Sequence, residues 1–115
     1  METTILISVI VEGLHNFPNA NIIFPESGYL CKTHRHLFYI TLELAVSHDN
    51  RDREFIVCKH DVVDYLHKKY YNERYRMCEF GAMSCEMIAK ELLIEFNCKS
   101  VVVLEDNESG AKVSN

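Results

Sequence analysis

The run Cys31-Lys32-Thr33-His34-Arg35-His36 passes without a break into Leu37-Phe38-Tyr39-Ile40-Thr41-Leu42-Glu43-Leu44-Ala45-Val46. Side chains alternate along a strand, so His34 and His36 leave the same face, about 7 Å apart along the chain. That face continues through Phe38, Ile40, Leu42, Leu44 and Val46, while Leu37, Tyr39, Thr41 and Glu43 occupy the other. The histidines therefore belong to the buried face. Spacing alone favours one histidine packed in the sheet and the other in water. An imidazole pair closing an apolar face, however, must be hydrogen-bonded or metal-bound, because burying it unpartnered costs free energy. Zinc accepts neutral imidazole nitrogens at about 2.0–2.1 Å and, when catalytic, takes three protein ligands and leaves one position open. His15 is the candidate third ligand. It ends another strand-like run, Ile5 to Leu14, which a neighbouring strand would bring opposite the pair.

Composition limits what can surround such a site. A chain of 115 residues, 48% of them apolar, makes one domain, residues 1–115. A net charge of −5, with lysines and arginines scattered, argues against nucleic-acid binding. Met1-Glu2-Thr3-Thr4 is an acidic lead, and Ile5 to Val11 is too short to span a bilayer, so the expectation is a soluble protein without membrane contact. Cys31, Cys58, Cys78, Cys85 and Cys98 are odd in number and contain no Cys-x-x-Cys pair, which points away from disulfides and towards a reducing cytoplasm.

In chain order, Ile5, Ile7, Val9, Val11, Gly13 and His15 share one face of the first strand. Gly13 suggests room for a ligand or another backbone, or else a bulge. Asn16 to Asn21 has turn chemistry, and Ile22 to Gly28 is expected to be a loop. The second strand starts at Tyr29 or His34, ends at Val46, and gives way to a charged turn over Ser47 to Arg53. Phe55-Ile56-Val57-Cys58 suggests a short strand before a helix from Asp61 to Tyr71, whose stripe is Val62, Val63, Leu66 and Tyr70. Asn72 to Glu79 is a polar connection. Ser84 is the expected N-cap of a second helix, with Ile88, Ala89, Leu92, Leu93 and Phe96 on its core face. Ser100 to Glu105 is the last long strand, Asp106 to Gly110 a turn, and Ala111 to Val113 a final short strand.

Four segments, taken in order, resemble the 6-pyruvoyl-tetrahydropterin synthase family, and within it the small 6-carboxy-tetrahydropterin synthases. Val11-Glu12-Gly13-Leu14-His15-Asn16-Phe17-Pro18 is similar to the family's first metal-histidine segment, and Cys31 with His34-Arg35-His36 to its cysteine and His-Gly-His motif. Met83-Ser84-Cys85-Glu86 resembles the Pro-Thr-x-Glu start of its second helix, and Val101-Val102-Val103-Leu104-Glu105 the strand ending in its pterin-binding glutamate.

The resemblance implies an α+β T-fold (tunnelling fold), an antiparallel sheet with two helices packed on one face, assembled with copies of itself into an oligomeric β-barrel ring such as a hexamer. A small domain with a large apolar sheet face is independent reason to expect a homo-oligomer. In the family the sites lie between subunits, and zinc (Zn2+) on three histidines binds the side chain of 7,8-dihydroneopterin triphosphate. His15, His34 and His36 match those ligands, Cys31 the catalytic base, and Glu105 the anchor of the pterin ring, with Glu86 a further substrate-binding candidate. A carboxylate suits that role because it accepts two parallel N–H donors. In a structure without ligand, Glu105 would be an ordinary charged strand end and Glu86 favourable charge at a helix N-terminus.

Three departures bear on activity. Only two residues separate Cys31 from His34, where relatives place three or more, and Arg35 replaces the glycine between the histidines. The family's Asp-His dyad is missing from Tyr71 to Glu79, with no histidine after His67. Losing a proton relay removes general acid–base help worth about 10²–10⁴-fold. Two functions follow: a diverged zinc-dependent 6-pyruvoyl/6-carboxy-tetrahydropterin synthase-like lyase acting on 7,8-dihydroneopterin triphosphate or a related pterin, or a T-fold protein that binds a pterin or purine-like ligand without turnover. In relatives the pathway is biopterin or 7-deazaguanine biosynthesis.

Overall fold

A computed structural model describes residues Met1–Asn115. Two 12-residue strands, β1 (Thr4–His15) and β2 (His34–Ala45), pair antiparallel over their whole length, from Thr4 opposite Ala45 to His15 opposite His34. This ladder is the spine of the molecule. β5 (Ser100–Glu105) lies antiparallel to β2, and β6 (Ser109–Ser114) antiparallel to β5. On the far side of β1 a small hairpin, β3 (Tyr71–Asn72) and β4 (Met77–Gly81), completes a six-stranded sheet in the order β3-β4-β1-β2-β5-β6. The sheet is open, not a closed barrel.

The expected wholly antiparallel sheet is corrected at one place: β4 runs parallel to β1, pairing Gly13 with Cys78 and Leu14 with Glu79. The Asn72 to Glu79 stretch is therefore a hairpin, not a plain connection. Its turn is held by Asn72, whose carbonyl accepts from the amides of Tyr75 and Arg76 and whose side chain accepts from that of Arg74. Alternation within β4 buries Cys78 and Phe80 and exposes Glu79.

One face of the sheet carries Ile7, Val9 and Val11 from β1, Phe38, Ile40, Leu42 and Leu44 from β2, and Val101 and Val103 from β5. Helices α2 (Phe55–Tyr70) and α3 (Cys85–Glu95) supply the rest of the same core through Cys58, Val62, Leu66, Ile88, Ala89, Leu92 and Leu93. Truncating a fully buried residue such as Leu42 to Ala is expected to cost about 2–5 kcal/mol.

Two further expectations are corrected. Phe55 to Cys58 is the first turn of α2, not a strand: Glu54 caps it by accepting from the Ile56 amide at 2.9 Å, and Cys58, Val62 and Leu66 fall on one helical face. This strand-favouring run points outward, with Phe55, Ile56 and Val57 all exposed. Asp61 and Asp64 consequently sit mid-helix. The Ile22 to Gly28 loop is instead a short helix α1 (Ala20–Ile23), pinned by fully buried Ala20, followed by a 3₁₀ segment over Pro25–Cys31. Strand β2 thus begins at His34. Helix α3 is capped as expected, Ser84 accepting from the Met87 amide.

Gly13 serves packing. A Cβ there would come within 2.6 Å of the Phe80 ring and 3.1 Å of Phe38, so the glycine admits an aromatic edge and leaves no room for a ligand. No helix is long and apolar enough to cross a membrane.

Candidate metal centre

The three predicted histidines meet at one end of the β1–β2 ladder. His15 and His34 are direct cross-strand partners, and His36 follows on the same face. Their rings stand at 73–82° to one another with centroids 4.7–5.3 Å apart, and one nitrogen of each lies within 4.8 Å of the others. Phe38 closes the group from below, edge-on to both His15 and His36. The register that produces this cluster is the one that buries the strands' apolar faces.

Hydrogen bonds decide which nitrogens are free. His15 Nδ1 donates to the Met83 carbonyl at 2.9 Å, and His34 Nδ1 to the Lys32 carbonyl at 2.8 Å. A carbonyl has no proton to give, so the ring must be the donor. His36 Nδ1 donates to Asp106 Oδ2 at 2.7 Å. That carboxylate is ionised: the Leu37 amide, then His36, hold its pKa below the usual range. All three rings therefore carry a proton on Nδ1, so that Nε2 is the nitrogen available to a metal, the arrangement by which outer partners orient metal-binding histidines.

His15 is nearly buried, at 7% exposure, and burial lowers its pKa despite the Met83 hydrogen bond and nearby Glu105. It is held neutral. Its Nε2 is a buried polar atom with no hydrogen-bond partner, an exception in native proteins that needs an explanation. Three imidazoles gathered around such an orphaned nitrogen can hold a divalent metal ion.

The supports come from elements with little signature of their own. Met83 is carried on the segment leaving β4, which is tied down where the Asn16 amide donates to the Gly81 carbonyl. Asp106 stands in the β5–β6 turn, where Asp106 and Asn107 both take left-handed φ, 54° and 59°, as a type I′ hairpin turn requires. The turn also clamps β2, its Asp106 amide donating to the Leu37 carbonyl. Sequence reasoning missed Asp106, which looked like turn chemistry only.

A cavity of about 670 Å³ opens beside the cluster, lined by His15 and His34, by Phe17 and Leu30, by the α3 N-terminus with Cys85 and Glu86, and by Glu105 and Gly110. Gly110 is obligatory, because a Cβ there would lie 1.8 Å from the Val103 carbonyl oxygen. No family model matches the chain, and no curated protein does.

The remaining predicted site residues divide. Glu105 and Glu86 both line the cavity. Glu105 Oε2 lies 2.8 Å from His15 Nε2 and 3.5 Å from His36 Nε2. Cys31, half-buried at the end of the 3₁₀ segment, is not among the lining residues; its carbonyl accepts from Asn16. The cavity's own cysteine is Cys85, whose thiol is pushed up to about 12 by burial and by the charges of Glu105 and Glu86. All five cysteines are free. Arg35 leaves the opposite face of β2 and pairs with Glu12.

Proposed function

We propose that this protein holds zinc on His15, His34 and His36 and takes a pterin-like molecule into the adjoining cavity, as a diverged relative of the 6-pyruvoyl/6-carboxy-tetrahydropterin synthases. The observation that carries the reading is that three separate acceptors, Met83, Lys32 and Asp106, engage the Nδ1 atoms of three imidazoles whose ligand nitrogens lie within 4.8 Å of one another, beside a cavity of about 670 Å³. That volume suits a small-molecule site. The order of the resembling segments supplies the ligand class.

The bound ion contributes Lewis acidity towards an oxygen of the ligand's side chain. The chain's own residues do the rest. Glu86, in the first turn of α3, and Glu105 bring carboxylates to the cavity wall, where one can accept paired N–H donors of a pterin ring. Phe17 and Leu30 supply an apolar wall. Exposed Leu6 and Ile10, on the outer face of β1, support assembly of the sheet with further copies into a ring.

Binding without turnover is a second reading, favoured by Cys31 standing outside the cavity lining and by Cys85 being held as a neutral thiol. The test is zinc-loaded protein with 7,8-dihydroneopterin triphosphate, followed by pterin fluorescence for binding and chromatography for product. Saturable binding that His34→Ala abolishes is expected. Product formation selects the lyase, its absence the binding protein, and no binding at all discards the pterin reading.

A further inference from the structure

We propose that Glu105 is a fourth, removable ligand of the metal centre, so that the ion is closed in by three histidines and one carboxylate when the cavity is empty. The inference rests on the metal reading above and adds to it the group that controls access to the ion.

The contact between Glu105 and His15 makes no sense as a hydrogen bond. Glu105 Oε2 is 2.8 Å from His15 Nε2, yet that nitrogen has no hydrogen-bond partner. At so short a distance, the oxygen must stand off the direction in which the ring nitrogen points. The ring's Nδ1 proton is committed to the Met83 carbonyl. A ring nitrogen and a carboxylate oxygen thus stand 2.8 Å apart with no hydrogen bond between them, an approach that calls for a shared positive charge. The protein supplies none: no lysine or arginine lines the cavity. The same oxygen lies 3.5 Å from His36 Nε2. Acceptor atoms brought this close, none donating to another, form the ligand set of one cation.

The backbone under Glu105 is fixed. Its carbonyl accepts from the Glu108 amide, and the following Asp106 amide donates to Leu37. The side chain is 31% exposed at the cavity edge and can swing without disturbing the sheet. A ligand oxygen reaching the ion would replace this carboxylate, and Glu86 is then the carboxylate that stays free on the cavity wall throughout.

The test is Co2+ titration of metal-free wild type, Glu105→Gln and Glu105→Asp, reading visible absorption and affinity by competition with a chromophoric chelator. Expected are one Co2+ per wild-type chain, and in Glu105→Gln a shifted spectrum with affinity lowered about 10-fold or more, at least the loss typical of an outer-sphere partner. Should the glutamine variant fail to fold, a shifted spectrum in Glu105→Asp, whose oxygen is drawn back from the ion, supports the same conclusion. Wild-type binding with spectrum and affinity unchanged in both variants overturns the fourth ligand and leaves the three-histidine site standing. No Co2+ in wild type overturns the metal reading itself, and this inference with it.

Discussion

Two glutamates show how differently this small fold treats a carboxylate. Glu91, on α3 where it meets α2, accepts from the Tyr65 hydroxyl at 2.8 Å and the Tyr70 hydroxyl at 2.5 Å, and pairs with Lys69 at 3.1 Å. Burial pushes its pKa up, but these donors together bring it below the ordinary value, while burial and the Glu91 hydrogen bond push Tyr70 up to about 12. Glu105, at the end of the sheet, lies 2.8 Å from His15 Nε2 without a hydrogen bond between them. A carboxylate among donors is finished as structure. One that meets a ring nitrogen without a hydrogen bond is left without a partner.

Breaking the site should have the largest effect. His34→Ala removes one of the three converging nitrogens without touching the core, and is expected to abolish stoichiometric zinc binding, measured by metal analysis after dialysis, with the fold retained by circular dichroism. Asp106→Asn comes next. The amide nitrogen has no lone pair for His36 Nδ1–H, so the ring loses its orientation, and zinc affinity should fall about 10–100-fold in a chelator competition.

The converse substitution sharpens the comparison. Glu91→Ala leaves two tyrosine hydroxyls and Lys69 without their acceptor, and should lower stability by about 1–3 kcal/mol in urea unfolding while leaving zinc affinity unchanged. A large change in zinc affinity would mean that the two clusters are coupled through α3.

The smallest effect is in the pH dependence of metal-free protein. His15 has a folded pKa below the ordinary 6.5, so as pH falls through 6.5 the unfolded chain takes up the proton first and stability declines. Glu91 has a folded pKa below the ordinary 4.5; its contribution is present above 4.5 and is lost as pH falls through the folded value. Urea midpoints should therefore drop in two stages, the upper one weakened by His15→Ala and the lower one by Glu91→Gln. Zinc should suppress the upper stage alone, because a coordinated His15 cannot take up a proton.

What could be read from the sequence follows the strand period. His34 and His36 share a face because they are two apart, and His15 joins them because two long apolar ladders have one register that buries both faces. The supports were hidden for a physical reason. Met83 and Lys32 act through backbone carbonyls, which any residue possesses, and Asp106 acts from a turn where aspartate is expected anyway. Strand β4 escaped notice because Cys78-Glu79-Phe80 is too short an alternation to show a period. The first turn of α2 was misjudged because Phe55, Ile56 and Val57 favour strands locally, whereas the spacing of Cys58, Val62 and Leu66 along a helix decides the packing.

The most direct test of the account is zinc uptake by metal-free wild-type protein at neutral pH, followed by calorimetric titration and by thermal unfolding with and without zinc. The account predicts one zinc per chain and a melting temperature raised by binding to the folded state. A flat titration with an unchanged melting temperature would contradict it, and would mean that His15, His34 and His36 close the sheet as packing residues.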